Sequence, residues 1–139
     1  MAAITATHIA SDQFLLDIRD HGLLVDQPAS EGGWDSGPTP TELFVGGLVA
    51  CVAHYAHRYL VRHELDTDNL RVTGDWELSP EGPARVARVA IRIDVPDSVP
   101  QARRAALLAV ASHCTVHNSL ANAPTVTVAL AQNAAGAAA

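Results

Sequence analysis

The 139-residue chain has no lysine; all nine of its basic residues are arginine. That removes every mechanism needing a lysine Schiff base. Aromatic residues are scarce at 4%, while the hydrophobic fraction of 48% is carried largely by alanine and valine, so its elements can pack closely. Fifteen acids outnumber the arginines and leave a formal charge of -6, which argues against nucleic acid or an anionic membrane surface as a partner. No apolar run approaches the roughly 20 residues that cross a bilayer. Met1 to Gln13 lacks the basic stretch and apolar run of a secretory signal. There is no internal repeat and no glycine pattern of a nucleotide loop, so a soluble cytoplasmic protein with no cofactor is expected. Cysteine occurs only at Cys51 and Cys114. In a reducing compartment such a pair suits redox or metal work better than a structural disulfide.

The length fits one domain over 1–139, with an alanine-rich tail at 132–139 expected to fray. Ala3 to Asp12 alternates weakly as a first strand. Phe14 to Arg19 and Leu23 to Asp26, parted by Asp20-His21-Gly22, read as a hairpin with Gly22 supplying the positive φ. Pro28 to Pro40 is a Gly/Pro/Ser-rich loop holding Trp34. Thr39, Pro40 and Glu42 then form a capping box with proline at the first helical position, opening a long helix that runs to about Glu64. Leu70 to Ser79 and Arg88 to Val95 alternate as strands about the Pro80-Glu81-Gly82-Pro83 turn. Ser98 and Gln101 suggest a second capping box for a helix over Val99 to His113, with Ala102, Ala105, Ala106, Ala109 and Val110 at helical spacing. A short third helix follows the Cys114 bend, and Thr125 to Ala131 alternates as a last strand. The order predicts an α+β fold with mostly antiparallel pairing.

Leu43 to Ala53 is apolar or glycine on every side, so the long helix is expected to be buried all round. One thin sheet cannot cover it. Leaving half of it open would exceed the few hundred Å² of contiguous apolar surface that monomers usually tolerate, so a tight homodimer is expected.

Three constellations bear on chemistry. Leu48, His54, Tyr55 and Arg58 share the helix face of Cys51, at i-3, i+3, i+4 and i+7. A thiol beside a guanidinium or an imidazolium is shifted toward thiolate, although a packed cysteine facing an interface explains the same pattern. Glu42 lies roughly 180 degrees round the helix from Cys51 and is explained by the capping box. Finally, Cys51-x-x-His54 with Cys114-x-x-His117 supplies a Cys2His2 ligand count for zinc, though at no common finger spacing.

Gly37-Pro38-Thr39-Pro40-Thr41-Glu42-Leu43, the small-residue helix closing on Ala50-Cys51, Cys114-Thr115-Val116-His117-Asn118-Ser119-Leu120, and the Gly32 to Pro38 loop together resemble the OsmC/Ohr family of thiol-dependent peroxidases. The similarity runs over nearly the whole chain. It implies an OsmC-like fold, with antiparallel sheets wrapped around a long central helix in an intertwined homodimer whose two cysteine-bearing helices lie side by side. It also implies that Cys51 attacks an organic hydroperoxide and becomes a sulfenic acid, which Cys114 captures as a disulfide that a dithiol reductant later opens. Phe44, Leu48 and Val52 are candidates for the apolar substrate wall. Arg19-Asp20 resembles the hairpin arginine that pairs with the thiolate, and Arg58 is the alternative. One departure stands out: where established hydroperoxide reductases of the family carry glutamate directly after the helix-starting proline, this chain has Thr41. That departure keeps open a non-catalytic member binding a hydrophobic small molecule at the dimer interface.

Overall fold

The computed structural model describes residues 2–131. It is a mixed α+β structure with antiparallel sheets, built as β1 (Ile4–His8), β2 (Phe14–Ile18), β3 (His21–Val25), α1 (Pro40–Arg62), β4 (Arg71–Leu78), β5 (Val86–Asp94), α2 (Gln101–Ala111) and α3 (Thr115–Ala121). Strands β1-β2-β3 form one antiparallel sheet and β4-β5 a second, with a register irregularity at Glu77/Leu78.

Helix α1 begins as its sequence dictates. Thr39 Oγ1 accepts from the Glu42 amide at 3.1 Å, and Glu42 Oε2 accepts from the Thr39 amide at 2.8 Å. The capping box thus satisfies two donors that the helix start leaves without partners. One side of α1 then packs on α2, α3, β4 and β5, with Leu48, Val52, Ala56, Tyr59 and Leu60 meeting Val99, Leu107, Ala111 and Cys114 in the core. Approach to β4 is close. A Cβ on Gly74 would stand 2.5 Å from Val49 Cγ2, so only glycine lets the helix cross the strand there.

The expectation of a helix buried all round does not hold within the chain. Phe44, Gly46, Gly47 and Ala50 are exposed, and Cβ atoms added at Gly46 and Gly47 would meet nothing. The apolar composition therefore serves two faces, of which the chain covers one.

Five local expectations are corrected. The β2-β3 connection is Arg19-Asp20, with Arg19 at φ 55, while Gly22 sits inside β3 opposite Asp17. Pairing Ile18 with His21 tightens the hairpin to two residues and moves the strained position onto an arginine. The first strand is also shorter than Ala3 to Asp12, since Ser11 turns the chain at φ 50. Ser98 does not cap α2; Pro100 occupies the cap position and Ser98 Oγ donates to Asp66 Oδ2 at 2.9 Å. The alanine stripe of α2, together with Val110, is exposed, because the bulkier Leu107 with Ala111 takes the buried face. Lastly, Thr125 to Ala131 forms no strand: Val126, Val128 and Leu130 are 78%, 94% and 97% exposed, and the segment joins neither sheet of the described residues. The expected frayed tail lies outside the described residues.

Candidate functional site

The site is built where α1 meets the start of α3. Cys51 lies half-buried on α1, while Cys114 is fully buried at the N-cap of α3, and both are free thiols. Cys51 packs against the core cluster that holds Cys114, close enough to bear on its thiol. Extended backbone at Cys114 (φ -67, ψ 157) lets its Sγ accept from the His117 amide at 3.4 Å, which fixes the direction of the sulfur. Burial pushes the Cys114 thiol above its ordinary range; the His117 amide opposes this and the adjacent Cys51 reinforces it. Cys114 is thus held as a neutral thiol at neutral pH.

One turn along α1, Tyr55 Oη lies 2.9 Å from Thr115 Oγ1, the residue next to Cys114. Nothing in the local sequence announces this contact. The shared face of Cys51 and Tyr55 is legible from helical periodicity, but the partner hydroxyl depends on how α3 docks.

The proposed wall residues separate by position. Leu48 and Val52 are core residues that line a cavity of about 220 Å³ with Val89, Ile91, Ile93 and His117. Phe44 is 45% exposed and joins Leu48, Val89, His117 and Leu120 around a more open cavity of about 370 Å³. Leu48, Val89 and His117 are common to both, so an apolar trough follows α1 between β5 and α3. His117, which the sequence offered only as a metal ligand, borders all of it.

Arg19 stands exposed at the hairpin tip. Among the described residues, its sheet has no substantial packing against any helix or against β4-β5, so one chain does not bring Arg19 to Cys51. Arg58 lines a cavity of about 410 Å³ with His54, Tyr55, Tyr59, Arg62 and His63, further along α1. Glu42 is engaged in the cap and its carboxylate is committed there. The Cys2His2 alternative is not assembled: among the described residues no group of three or more His, Cys, Asp and Glu side chains is arranged to hold a metal ion.

A residue the sequence reading missed organises the loop before α1. Asp26 has no exposed surface, and its carboxylate accepts from the amides of Gln27 at 2.8 Å, Trp34 at 3.1 Å and Ser36 at 3.0 Å. Burial opposes its charge, yet the Ser36, Gln27 and Trp34 amides outweigh that and hold the carboxyl below its ordinary value. The loop glycines fit around it, since a Cβ on Gly33 would meet the Gln27 carbonyl and one on Gly37 the Leu24 carbonyl. The Gly32 to Pro38 loop is therefore a packing motif that delivers Thr39 to its capping position.

No helix among the described residues is long and apolar enough to cross a membrane. The OsmC family, described as OsmC-like protein, matches residues 33–129 of the chain. No curated protein matches it by sequence. Among solved structures, the chain is similar to an OsmC-like protein from Mycoplasma pneumoniae, with a TM-score of 0.75 and 15% identity over 88% of this chain and 89% of that one. It is similar also to an organic hydroperoxide resistance protein OsmC from Legionella pneumophila, with a TM-score of 0.64 and 20% identity over 85% and 88% of the two chains. The organic hydroperoxide resistance protein OhrB of Bacillus subtilis gives a TM-score of 0.63 and 18% identity over 86% and 89%. At these identities the structures establish the fold alone. The sequence match spans well over half of the chain, and the chain belongs to the OsmC-like protein family.

Proposed function

We propose that the protein is a cysteine-based peroxidase that reduces organic hydroperoxides in oxidative stress defence, working as a homodimer in the cytoplasm. The observation that carries this reading is the juxtaposition of Cys51 and Cys114, two free thiols far apart in sequence and neighbours in space. Cys51 is the more accessible of the two and acts as the nucleophile. Its thiolate attacks the distal oxygen of the hydroperoxide, the O–O bond breaks, and the alcohol leaves after taking a proton. The resulting Cys51 sulfenic acid is attacked by Cys114: the S–O bond breaks, a disulfide forms and water departs. A dithiol then restores both thiols. The apolar trough bordered by Phe44, Leu48 and Val52 supports an organic over an inorganic peroxide.

Three features support the dimer. The N-terminal sheet exposes Ile4, Phe14 and Leu23 and, among the described residues, has no substantial packing against a helix or against β4-β5. Gly46 and Gly47 each cost helix stability without any contact in the chain to require them, as expected where a second helix approaches closely. The third is the uncovered stripe through Phe44 and Ala50. In such a dimer the partner's sheet is the means by which an arginine at position 19 reaches a thiolate. Arg58 remains the arginine on the cysteine's own helix face.

The test is thiol oxidation by cumene hydroperoxide and by hydrogen peroxide, followed by mass analysis for an intramolecular disulfide. Cys51 is expected to react faster than free cysteine, with cumene hydroperoxide preferred, and Cys51→Ser is expected to abolish turnover. If neither peroxide oxidises Cys51 faster than free cysteine, the peroxidase reading is lost. The same trough and the threonine at position 41 favour a second reading, a non-catalytic protein that binds a hydrophobic small molecule. Ligand retained by Cys51→Ser and Cys114→Ser proteins, with no peroxide turnover in the parent, would establish it instead.

A further inference from the structure

Two side-chain contacts bridge α1 and the first turn of α3, and they are adjacent rungs. Cys51 packs against the core cluster that holds Cys114, and Tyr55, one turn on, meets Thr115 across 2.9 Å. Beyond them α3 is held by Val116 against the core and by Asn118 Nδ2, which donates to the His113 carbonyl at 3.1 Å. Its residues are exposed apart from the half-buried Val116, its substantial packing is on α1 alone, and the chain after it is exposed to residue 131. The His117 amide sets the direction of the Cys114 sulfur, but it belongs to α3 and cannot set where α3 sits on α1. The hydroxyl pair can.

We propose that the Tyr55–Thr115 hydrogen bond is a positioning latch for disulfide formation, seating the start of α3 on α1 so that Cys114 meets the oxidised Cys51. This inference rests on the peroxidase reading. In the step concerned, the Cys114 sulfur bonds to the Cys51 sulfur of the sulfenic acid, hydroxide leaves Cys51, and the Cys114 proton completes a water molecule. The hydroperoxide consumed in the preceding step is the oxidant. Two properties make this step depend on placement. A disulfide needs its sulfurs to close to about 2.05 Å with a restricted dihedral angle. Cys114 is also buried as a neutral thiol, the weaker nucleophilic form, so the rate has to come from proximity. Tyr55 is a positioning residue and touches neither sulfur by the hydrogen bond it makes.

The test uses the full-length protein and near-isosteric variants, Tyr55→Phe and Thr115→Val, with Thr115→Ser as the change that keeps the hydroxyl. After one equivalent of cumene hydroperoxide, sulfenic acid is trapped with dimedone and disulfide is followed by mass. The latch predicts sulfenic acid formation within about twofold of the parent, and disulfide formation slowed about tenfold or more in Tyr55→Phe and Thr115→Val. Thr115→Ser should behave as the parent. The double variant should be no slower than either single one, because one hydrogen bond is lost only once. Unchanged disulfide rates overturn the proposal, as does equal slowing of both steps, which signals general damage to the site. If the parent forms no sulfenic acid, the peroxidase reading fails by itself, and disulfide formation driven by diamide then decides the latch. Slowing in Tyr55→Phe under diamide supports it, and an unchanged rate overturns it.

Discussion

The body around α1 and the N-terminal sheet solve the burial problem in opposite ways. In the body, Leu48, Val52, Ala56, Tyr59 and Leu60 of α1 close a core with residues of α2 and Cys114, and β5 lays Val89, Ile91 and Ile93 against it. In the β1-β2-β3 sheet the backbone ladder is complete, yet no residue of β1 is buried and Val25 alone of the strands is. Hydrogen bonding without an apolar face to cover does not make a three-stranded sheet stable by itself. The comparison teaches that the chain completes its secondary structure alone and only part of its core. The remaining apolar surface is the basis for expecting a second copy.

Removing residues 1–25, which takes away the three strands and leaves Asp26 in place, gives the largest expected effect and tests that comparison directly. A sheet that served only its own chain could be lost with little harm to the body, whereas a sheet that wraps a partner is required by it. The shortened chain is expected to lose cooperative folding, as read by circular dichroism and light scattering at low micromolar concentration. A stable shortened monomer there, or a well-folded full-length monomer, would remove the dimer from the reading.

Replacing Asp26 comes next, since it joins the end of the sheet to the loop that leads into α1. Asp26→Ala leaves the Gln27, Trp34 and Ser36 amides without their acceptor and is expected to destabilise clearly more than the isosteric Asp26→Asn. The pH dependence follows from the lowered carboxyl. Its contribution is fully present above the ordinary aspartate value of 3.8 and is lost as pH falls below that value through the folded one. Urea melts of the parent and Asp26→Asn should therefore converge as the solution is acidified in that range, and a constant gap would refute the assignment.

Gly74→Ala places a Cβ against Val49 at the crossing of α1 and β4, and overpacking of this kind costs about 1–3 kcal/mol. Gly46→Ala and Gly47→Ala sharpen the contrast by sign. In a lone chain each should stabilise α1 by up to about 1 kcal/mol, because alanine is the better helix former and nothing is struck. Where a second helix lies close, each should instead weaken association. Sedimentation across a dilution series separates the two signs. Thr39→Ala is the smallest of the set, about 1 kcal/mol by loss of the cap, measured as a shift in thermal unfolding.

How far the sequence could be read depended on the range of each interaction. The capping box at Thr39 and Glu42 lies within one turn and was legible to the residue. So was the alternation of β5, whose Val89, Ile91 and Ile93 pack on the core. The hairpin turn was misplaced by local glycine chemistry: strand pairing put Arg19 at positive φ and left Gly22 in the ladder. The exposed alanines of α2 show the same limit, because spacing identifies a face but not which side meets α1. For the site, both thiols and the common face of Cys51 and Tyr55 were legible, while the Thr115 partner and the trough beside His117 were not.

By itself the sequence determined where α1 starts, which strands alternate, and which two residues can do thiol chemistry, because capping, periodicity and side-chain type act over a few residues. The fold decided that Cys114 would be buried against Cys51, that Asp26 would gather three amides, and that the N-terminal sheet would stand apart from the helices. These follow from contacts between distant segments, whose energies depend on how whole elements dock and leave no local trace in the chain.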